Sequence, residues 1–305
     1  MEINLQLEGK NIQYYEEFKD NPLKSLPHQG EYYASGGTCN IRKVKISDSD
    51  YVIKLFQKKG VNEDWIRNTS FTGLNEDWIR NIKYNLSDKV EIISNSDFFV
   101  SPKIIPLEDG EDWYLMDFFE STNLFYLISS KTLNPENIGS VLLKYGEMLK
   151  YLHKNEHIYV DNNPKNILLN CSEIRVCDCD LISSISDVEQ NKYEFFKNGA
   201  IVCAPFFGSH AQLTGKPPNF LSDLEGFSLI IDTVYRGKPY LNEVNNDMYE
   251  MFEQARENDR DYVPVECIPK NLATLITPYI KLPHPKNLSD SIDDFICAIK
   301  EDFNL

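Results

Sequence analysis

The feature that most constrains the fold is a change of hydrophobic period near Glu120. Before it, apolar residues come in short runs of the kind strands use: Glu31 to Phe56 with glycines in its middle, Phe98 to Ile105, and Trp113 to Phe119. After it they recur every three or four residues, as Ile138, Val141, Leu142, Tyr145, Leu149 and Leu152 do, which is the spacing of one helix face. A chain of 305 residues has material for about two cores, and 42% hydrophobic with 26% charged residues is ordinary globular composition. A small β-rich lobe over residues 31–119 is therefore expected to precede a larger helical lobe over residues 120–305. Residues 1–30, polar with Tyr14, Tyr15 and Phe18 interspersed, read as an N-terminal extension.

Two helix starts are legible in the second part. Asn134 can cap a helix with Pro135 at its first position. Ser222-x-x-Glu225 has the form of a capping box, and the residues that follow (Leu224, Phe227, Leu229, Ile230, Ile231, Val234) are apolar almost all round. Such a helix belongs in the centre of its domain. In the first part, seven residues recur identically, Asn62 to Asn68 and Asn75 to Asn81. One extra copy is too little for a solenoid, so it reads as a local duplication or as two helical turns with similar faces.

The net charge of -16, from 31 Lys+Arg against 47 Asp+Glu, gives little means of neutralising many phosphates, so no nucleic-acid partner is expected. A small phosphate compound needs only a local cation and a few backbone N–H groups. The start MEINLQLEGK lacks the layout of a secretory signal, and no apolar run of 18 residues could span a bilayer. The seven cysteines, odd in number and irregular in spacing, read as reduced thiols; Cys177-x-Cys179 lacks the paired spacing of a zinc site. The expected location is the cytoplasm, or a host cytosol.

The residues best suited to chemistry lie just past the first helix: His157-Ile-Tyr-Val-Asp161-Asn-Asn-Pro-Lys-Asn166-Ile-Leu-Leu169, then Arg175-Val-Cys-Asp178-Cys-Asp180. Apolar residues Ile167 to Leu169, Ile174 and Val176 flank the polar ones, as in a short hairpin with a loop at each end. That would set Asp161, Asn166 and Asp178 at one edge. Two carboxylates and an amide are hard oxygen donors suited to Mg²⁺, with one carboxylate left to accept a proton. Asp and Asn also populate turns, and any one of the three alone would carry no more than that. In the first part, alternation along Val52-Ile53-Lys54-Leu55 sets Lys54 on the opposite face from Ile53 and Leu55, where an ammonium is costly unless something anionic meets it.

These stretches resemble the protein kinase superfamily, specifically its eukaryotic-like Ser/Thr kinases. Residues 158–169 resemble the catalytic loop H/Y-R-D-L-K-P-x-N-I-L without a gap, and residues 176–180 resemble the D-F-G segment. The resemblance implies an α+β, bilobal protein-kinase-like fold: a small antiparallel β-sheet lobe with one main helix, then a mostly helical lobe. It implies that Asp161 orients the acceptor hydroxyl as base, and that Asn166 and Asp178 hold the metal. Val52 and Lys54 correspond to the V-A-I-K strand, where the lysine holds the α- and β-phosphates. Ala34 to Ile41, with Gly36, Gly37 and Ile41 in matching places but Ala34 and Cys39 replacing the first and last glycines, resembles the glycine-rich loop. Glu76 is preferred over Glu63 as the helix glutamate that pairs with Lys54, since 22 residues allow the strand to end and a helix to reach back. Trp113 to Glu120 resembles the fifth strand and hinge, with Met116 as gatekeeper, the backbones of Asp117 and Phe119 facing adenine, and Asn123 at the ribose. Ser222-Asp223-Leu-Glu-Gly-Phe-Ser resembles the start of the central helix, whose aspartate braces the catalytic loop, and Arg236-Gly-Lys-Pro-Tyr240 resembles the segment closing that helix.

The chain also departs from the pattern. Val160 stands for the arginine before the catalytic aspartate, which leaves a phosphorylated activation loop without a docking cation. Asn163 stands for the lysine that neutralises the transferred phosphate, and Cys179 and Asp180 stand for the phenylalanine and glycine of D-F-G. Only Ala204-Pro205-Phe206 represents A-P-E, and Ser209-His210-Ala211 resembles the casein-kinase and vaccinia-related-kinase branch. The implied activity is ATP-dependent transfer to Ser or Thr of protein substrates with Mg²⁺ or Mn²⁺. Two alternatives stand beside it: a nucleotide-binding pseudokinase or scaffold, and a small-molecule kinase of the aminoglycoside or choline type. Substrate identity and oligomeric state are not encoded legibly.

Overall fold

The structure, a computed structural model, describes residues 31–35, 39–46, 48–56, 76–107, 112–171, 173–193, 203–204, 206–244 and 248–305. The chain divides into two compact units, one ending at Glu120 and one running from Ser121 to Leu305.

The first unit is built on an antiparallel sheet in the order β1-β2-β3-β5-β4: β1 Glu31–Ser35, β2 Cys39–Ile46, β3 Ser49–Phe56, β4 Pro102–Ile104 and β5 Trp113–Asp117. β2 and β3 pair along their whole length, from Cys39 opposite Phe56 to Ile46 opposite Ser49. Because side chains alternate across a pleated strand, the register sorts them into two faces. Val44, Ile46, Tyr51, Ile53, Trp113 and Leu115 form one buried cluster with Ile104, against which Leu55 packs. Lys54 falls on the other face. The run Phe98 to Ile105 is strand only from Pro102, shorter than its composition suggests, since Asn95 to Phe98 form turns and bends. Proline cannot donate to a ladder, and β4 accordingly lies at the sheet edge. Helix α1, Glu76–Asp88, buries Ile79, Ile82 and Leu86 and is followed by the short α2, Val90–Ser94. The second repeat copy enters α1; the first copy, Glu63 with it, lies outside the described residues, as do Gly36 and Gly37.

The second unit opens with β6, Thr122–Asn123, and α3, Leu124–Ser129. Asn134 then caps a 3₁₀ turn, Pro135–Asn137, by accepting from the Glu136 N–H, and α4 runs over Ile138–Lys154. Three short segments follow, β7 His157–Ile158, β8 Ile167–Leu169 and β9 Ile174–Val176; β6, β8 and β9 form an antiparallel sheet, and β7 pairs with β10, Ser183–Ser184. The hairpin expected from the apolar runs is thus β8–β9. Next come α5 Ile185–Glu189, α6 His210–Leu213, α7 Phe220–Arg236, α8 Tyr240–Val244, α9 Met248–Glu257, α10 Lys270–Ile280 and α11 Ile292–Phe303. α4, α7, α10 and α11 meet in an aromatic core, where Phe227 stacks on Phe295 at 5.4 Å and is flanked by Tyr145 at 5.3 Å, while Tyr279 lies 5.1 Å from Phe295.

Helix α7 is buried from Ser222 to Thr233, as its sequence requires. Its start differs from the expected one. Asn219 is the cap, accepting from the Ser222 N–H at 3.1 Å while the Ser222 hydroxyl accepts from the Asn219 N–H at 3.1 Å. Ser222 is therefore the third helical residue of the box, not its first. Glu225 faces elsewhere, accepting from the His210 N–H at 2.6 Å and lying 3.3 Å from His284 Nε2. All seven cysteines are free thiols.

Candidate active site

The candidate site in the second unit is built around a tight turn. After β7 the chain bends at Val160, whose φ is +72°, and the Asp161 N–H donates back to the Tyr159 carbonyl at 2.9 Å. A three-residue turn of this hand is rare and strained, most of all for a β-branched residue. It is held by Asp223 of α7, whose fully buried carboxylate accepts from the Tyr159 N–H at 2.9 Å, the Val160 N–H at 3.0 Å and Asn162 Nδ2 at 3.0 Å, and lies 3.0 Å from His153 Nε2. The expected brace is therefore present as a geometric fact. Tyr145 of α4 donates to Asn162 Oδ1 at 2.8 Å, so Asn162 links α4 to α7 beneath the loop. Gly226 makes room for it: a Cβ there would lie 2.5 Å from Asn162 Cβ.

Asp161 and Asn166 come together directly. Asn166 Nδ2 donates to Asp161 Oδ2 at 2.8 Å and to its carbonyl at 3.2 Å. Asn163 spends its side chain locally, its Oδ1 accepting from the Lys165 N–H at 3.0 Å to cap the 3₁₀ turn Pro164–Asn166. The segment bearing Asp178 is tied to the same loop: the Cys177 N–H donates to the Asn166 carbonyl at 2.9 Å, and the Tyr159 hydroxyl donates to the Cys177 carbonyl at 2.7 Å, with the Asp178 carbonyl 3.4 Å away. Asp178 itself has φ +59°, a second left-handed residue in the same cluster. Of the residues replacing D-F-G, Cys179 and Asp180 are both buried.

Burial shapes the neighbouring acids. The hydroxyls of Tyr145 and Tyr159 are raised well above the ordinary phenol range, first by burial and then by nearby charge, from Asp223 and Asp161 on Tyr145 and from Tyr145 and Asp161 on Tyr159. Both remain proton donors. Cys203 is pushed up to about 12 by burial and by the charge of Asp161, so it stays a thiol.

The remaining sequence-predicted residues lie on the first unit, with one exception. Ile41 of β2 sits opposite Lys54 of β3, and Val52 sits opposite Met116 of β5. Cross-strand partners share a face, so Ile41, Val52, Lys54 and Met116 line one face, away from the apolar cluster. Lys54 is 4% exposed, its Nζ 5.6 Å from the Phe56 ring centroid and 5.7 Å from that of Tyr114. Asp117 ends β5; its N–H donates to the Ser101 carbonyl at 3.2 Å and its carboxylate pairs with Lys103 at 2.9 Å. Phe119 follows in the segment before β6. Glu76 is the first residue of α1, with its side chain outside the described residues. Asn123, in the second unit, caps α3 by accepting from the Tyr126 N–H at 2.8 Å.

The donor set fits a hard cation. With both Asn166 Nδ2 contacts made to Asp161, the polar atom Asn166 can turn to a metal is its Oδ1, and Asp178 adds a carboxylate. Among the described residues no three His, Cys, Asp or Glu side chains gather as a metal cage. Sequence reasoning missed Asn162, Tyr145 and Gln212, whose Nε2 donates to the Val160 carbonyl at 3.1 Å. A signal for the last was present, since Ser209-x-x-Gln212 has the capping-box form and is one here.

Comparison with known proteins bears on the whole arrangement. A sequence-family model described as Protein kinase domain matches residues 35–302. Similar proteins include receptor-interacting serine/threonine-protein kinase 1 of Homo sapiens, 25% identical over 56% of this chain and 27% of that protein. Mitogen-activated protein kinase HOG1 of Cryphonectria parasitica and the sakA kinase of Aspergillus fumigatus are each 33% identical over 33% of this chain and 26% of theirs. The chain thus spans about a quarter of the length of these relatives.

Proposed function

The chain belongs to the protein kinase family, and from that premise we propose that it transfers the γ-phosphoryl group of ATP to Ser or Thr hydroxyls of protein substrates, with Mg²⁺ or Mn²⁺ bound. The observation that carries the reading is the Asp161–Asn166 hydrogen bond on a strained loop whose backbone is gripped by Asp223. Strained backbone of this kind persists where the surroundings over-determine it, and it clusters at functional sites.

In this reading Asp161 accepts the hydrogen of the attacking hydroxyl and orients it, while the Asn166 amide fixes the carboxylate. Asn166 Oδ1 and Asp178 would hold the cation, which when bound neutralises charge on the phosphate oxygens. Lys54 would meet the α- and β-phosphates. Ile41, Val52 and Met116 would pack on the base, with the Asp117 carbonyl and the Phe119 backbone at its polar edge and Asn123 at the ribose. Gly36, Gly37 and Glu76 keep the roles the resemblance gives them. The test is labelling of protein acceptors with γ-labelled ATP over Mg²⁺ and Mn²⁺, comparing the parent with Asp161→Asn. Labelling that falls by about 100-fold or more in the variant supports the reading; a variant as active as the parent sinks it.

One observation favours a second reading, a nucleotide-binding module without turnover. Position 163 carries an amide, its oxygen engaged in a turn cap, where the catalytic-loop pattern has a lysine. Stabilisation by Mg²⁺-ATP that vanishes in Asp178→Asn, with no labelling by the parent, would select it. Labelling of metabolites without labelling of proteins would select a small-molecule kinase.

A further inference from the structure

We propose that Gln212 is a positioning residue for Asp161, holding the turn at Val160 through an uncharged amide clamp. The inference rests on the phosphotransfer reading and adds how the loop under the base is kept in shape.

Val160 is 2% exposed and left-handed, a conformation a β-branched residue keeps only when its neighbours hold it. Its two peptide groups are gripped from opposite sides. The N–H donates to Asp223 Oδ1 at 3.0 Å, and the carbonyl accepts from Gln212 Nε2 at 3.1 Å. That carbonyl belongs to the peptide joining Val160 to Asp161, so whatever fixes it fixes the direction in which Asp161 leaves the turn.

Gln212 is itself oriented. It is 2% exposed, its Oε1 accepts from the Ser209 N–H at 3.0 Å, and its own N–H donates to Ser209 Oγ at 3.2 Å. Rotating the amide by half a turn would set oxygen against the Val160 carbonyl and NH₂ against the Ser209 N–H, two repulsive contacts in place of two hydrogen bonds. The capping box of α6 thus serves two ends at once: it starts a helix and aims a donor at the loop. Neither the amide nor the carbonyl titrates, and neither carries a charge for a phosphate to meet.

Gln212→Glu is the informative variant because it keeps the shape and removes the donor. An ionised carboxylate repels the Val160 carbonyl. A protonated one can donate to it while still accepting from Ser209, and burial beside a carbonyl raises the pH at which that proton is held. In steady-state transfer the expected result for Gln212→Glu near pH 8 is a kcat lowered about 10-fold, with KM for ATP within about twofold of the parent. The deficit should shrink as the pH falls to about 5.5, whereas Gln212→Ala should show the loss without the recovery. Both variants staying within about twofold of the parent at every pH overturns the proposal, as does a loss in Gln212→Glu that acid leaves unchanged.

Two measurements do not depend on variant turnover. Phosphatase treatment should leave the parent's rate within about twofold, and a tenfold drop overturns the uncharged hold; this stands even if a variant fails to fold. Amide hydrogen exchange in residues 156–169 should quicken in Gln212→Glu at pH 8 and slow again, relative to the parent, in acid. Unchanged exchange overturns the clamp. A parent that labels nothing, while exchange in Gln212→Glu responds in this way, fails the phosphotransfer reading and leaves the clamp standing.

Discussion

Gly226 shows how little slack exists beneath the candidate catalytic loop. A methyl group there would meet Asn162 at 2.5 Å from its Cβ and 2.7 Å from its Cγ, and Asn162 cannot retreat without losing its bonds to Tyr145 and Asp223. Gly226→Ala is expected to destabilise the protein by about 1–3 kcal/mol, read as a fall in denaturation midpoint, and to lower proposed transfer activity more than stability alone explains. A variant with the parent's midpoint and rate would mean the loop tolerates the shift. At this scale Asp161, Asn166 and Asp178 were legible because their spacing and flanking apolar residues are a local pattern. Asn162 was not, because a buried amide looks like a turn former until tertiary approach encloses it, and Gln212 showed only as the third residue of a capping box, with nothing local to point its amide at the loop. Glu63, Gly36 and Gly37 lie outside the described residues.

Helix α7 is the element on which the second unit turns, and its two ends are held by different physics. At the start, Asn219 and Ser222 exchange hydrogen bonds and satisfy N–H groups that a helix leaves open. Asn219→Ala should cost about 1 kcal/mol. At the finish, Gly237 adopts φ +81° and donates to the Thr233 carbonyl at 2.9 Å, with nothing within 4 Å of where a Cβ would stand. Gly237→Ala should therefore cost about 1 kcal/mol from backbone strain alone. Chemical denaturation of the two variants checks both values; because the sites are far apart along the helix, the double variant should show their sum. The sequence made the buried body of α7 plain, since it is apolar almost all round, but its Ser222-x-x-Glu225 pattern put the cap three residues too late. A capping box begun at Ser222 would need the Glu225 carboxylate back at the helix start. Glu225 is committed to His210 and His284, so Asn219 takes the end.

Across the second unit, those same groups make stability depend on pH. Burial pulls the His284 imidazole down, but hydrogen bonding and charge from Glu225, with the Pro278 carbonyl, outweigh it and hold it above its ordinary value. Its neighbour His210, with ring centroids 5.9 Å apart, is lowered, first by burial, which the Glu225 charge partly offsets, and further by His284, Lys216 and Arg260. A raised histidine contributes stability fully below its unfolded value of about 6.5 and loses it as pH climbs through the higher folded value. His210 has the opposite sign, contributing above that value and losing its share as pH falls through the lower folded one. His284→Gln should thus lower the melting temperature most near pH 6 and least near pH 8, by scanning fluorimetry across about that range. An offset independent of pH would show that His284 acts by packing only.

The pattern of cysteines has a practical outcome for anyone wishing to attach a reporter. Cys171, Cys267 and Cys297 are exposed, whereas Cys203 is held protonated next to the Asp161 carboxylate. Alkylation depends on thiolate and on access, so a maleimide dye at neutral pH should decorate the three exposed sulfurs first, spare Cys203 and the buried Cys39 and Cys179, and reach the half-buried Cys177 more slowly. Spectroscopic probes can then be installed in the second unit without a cysteine-free background.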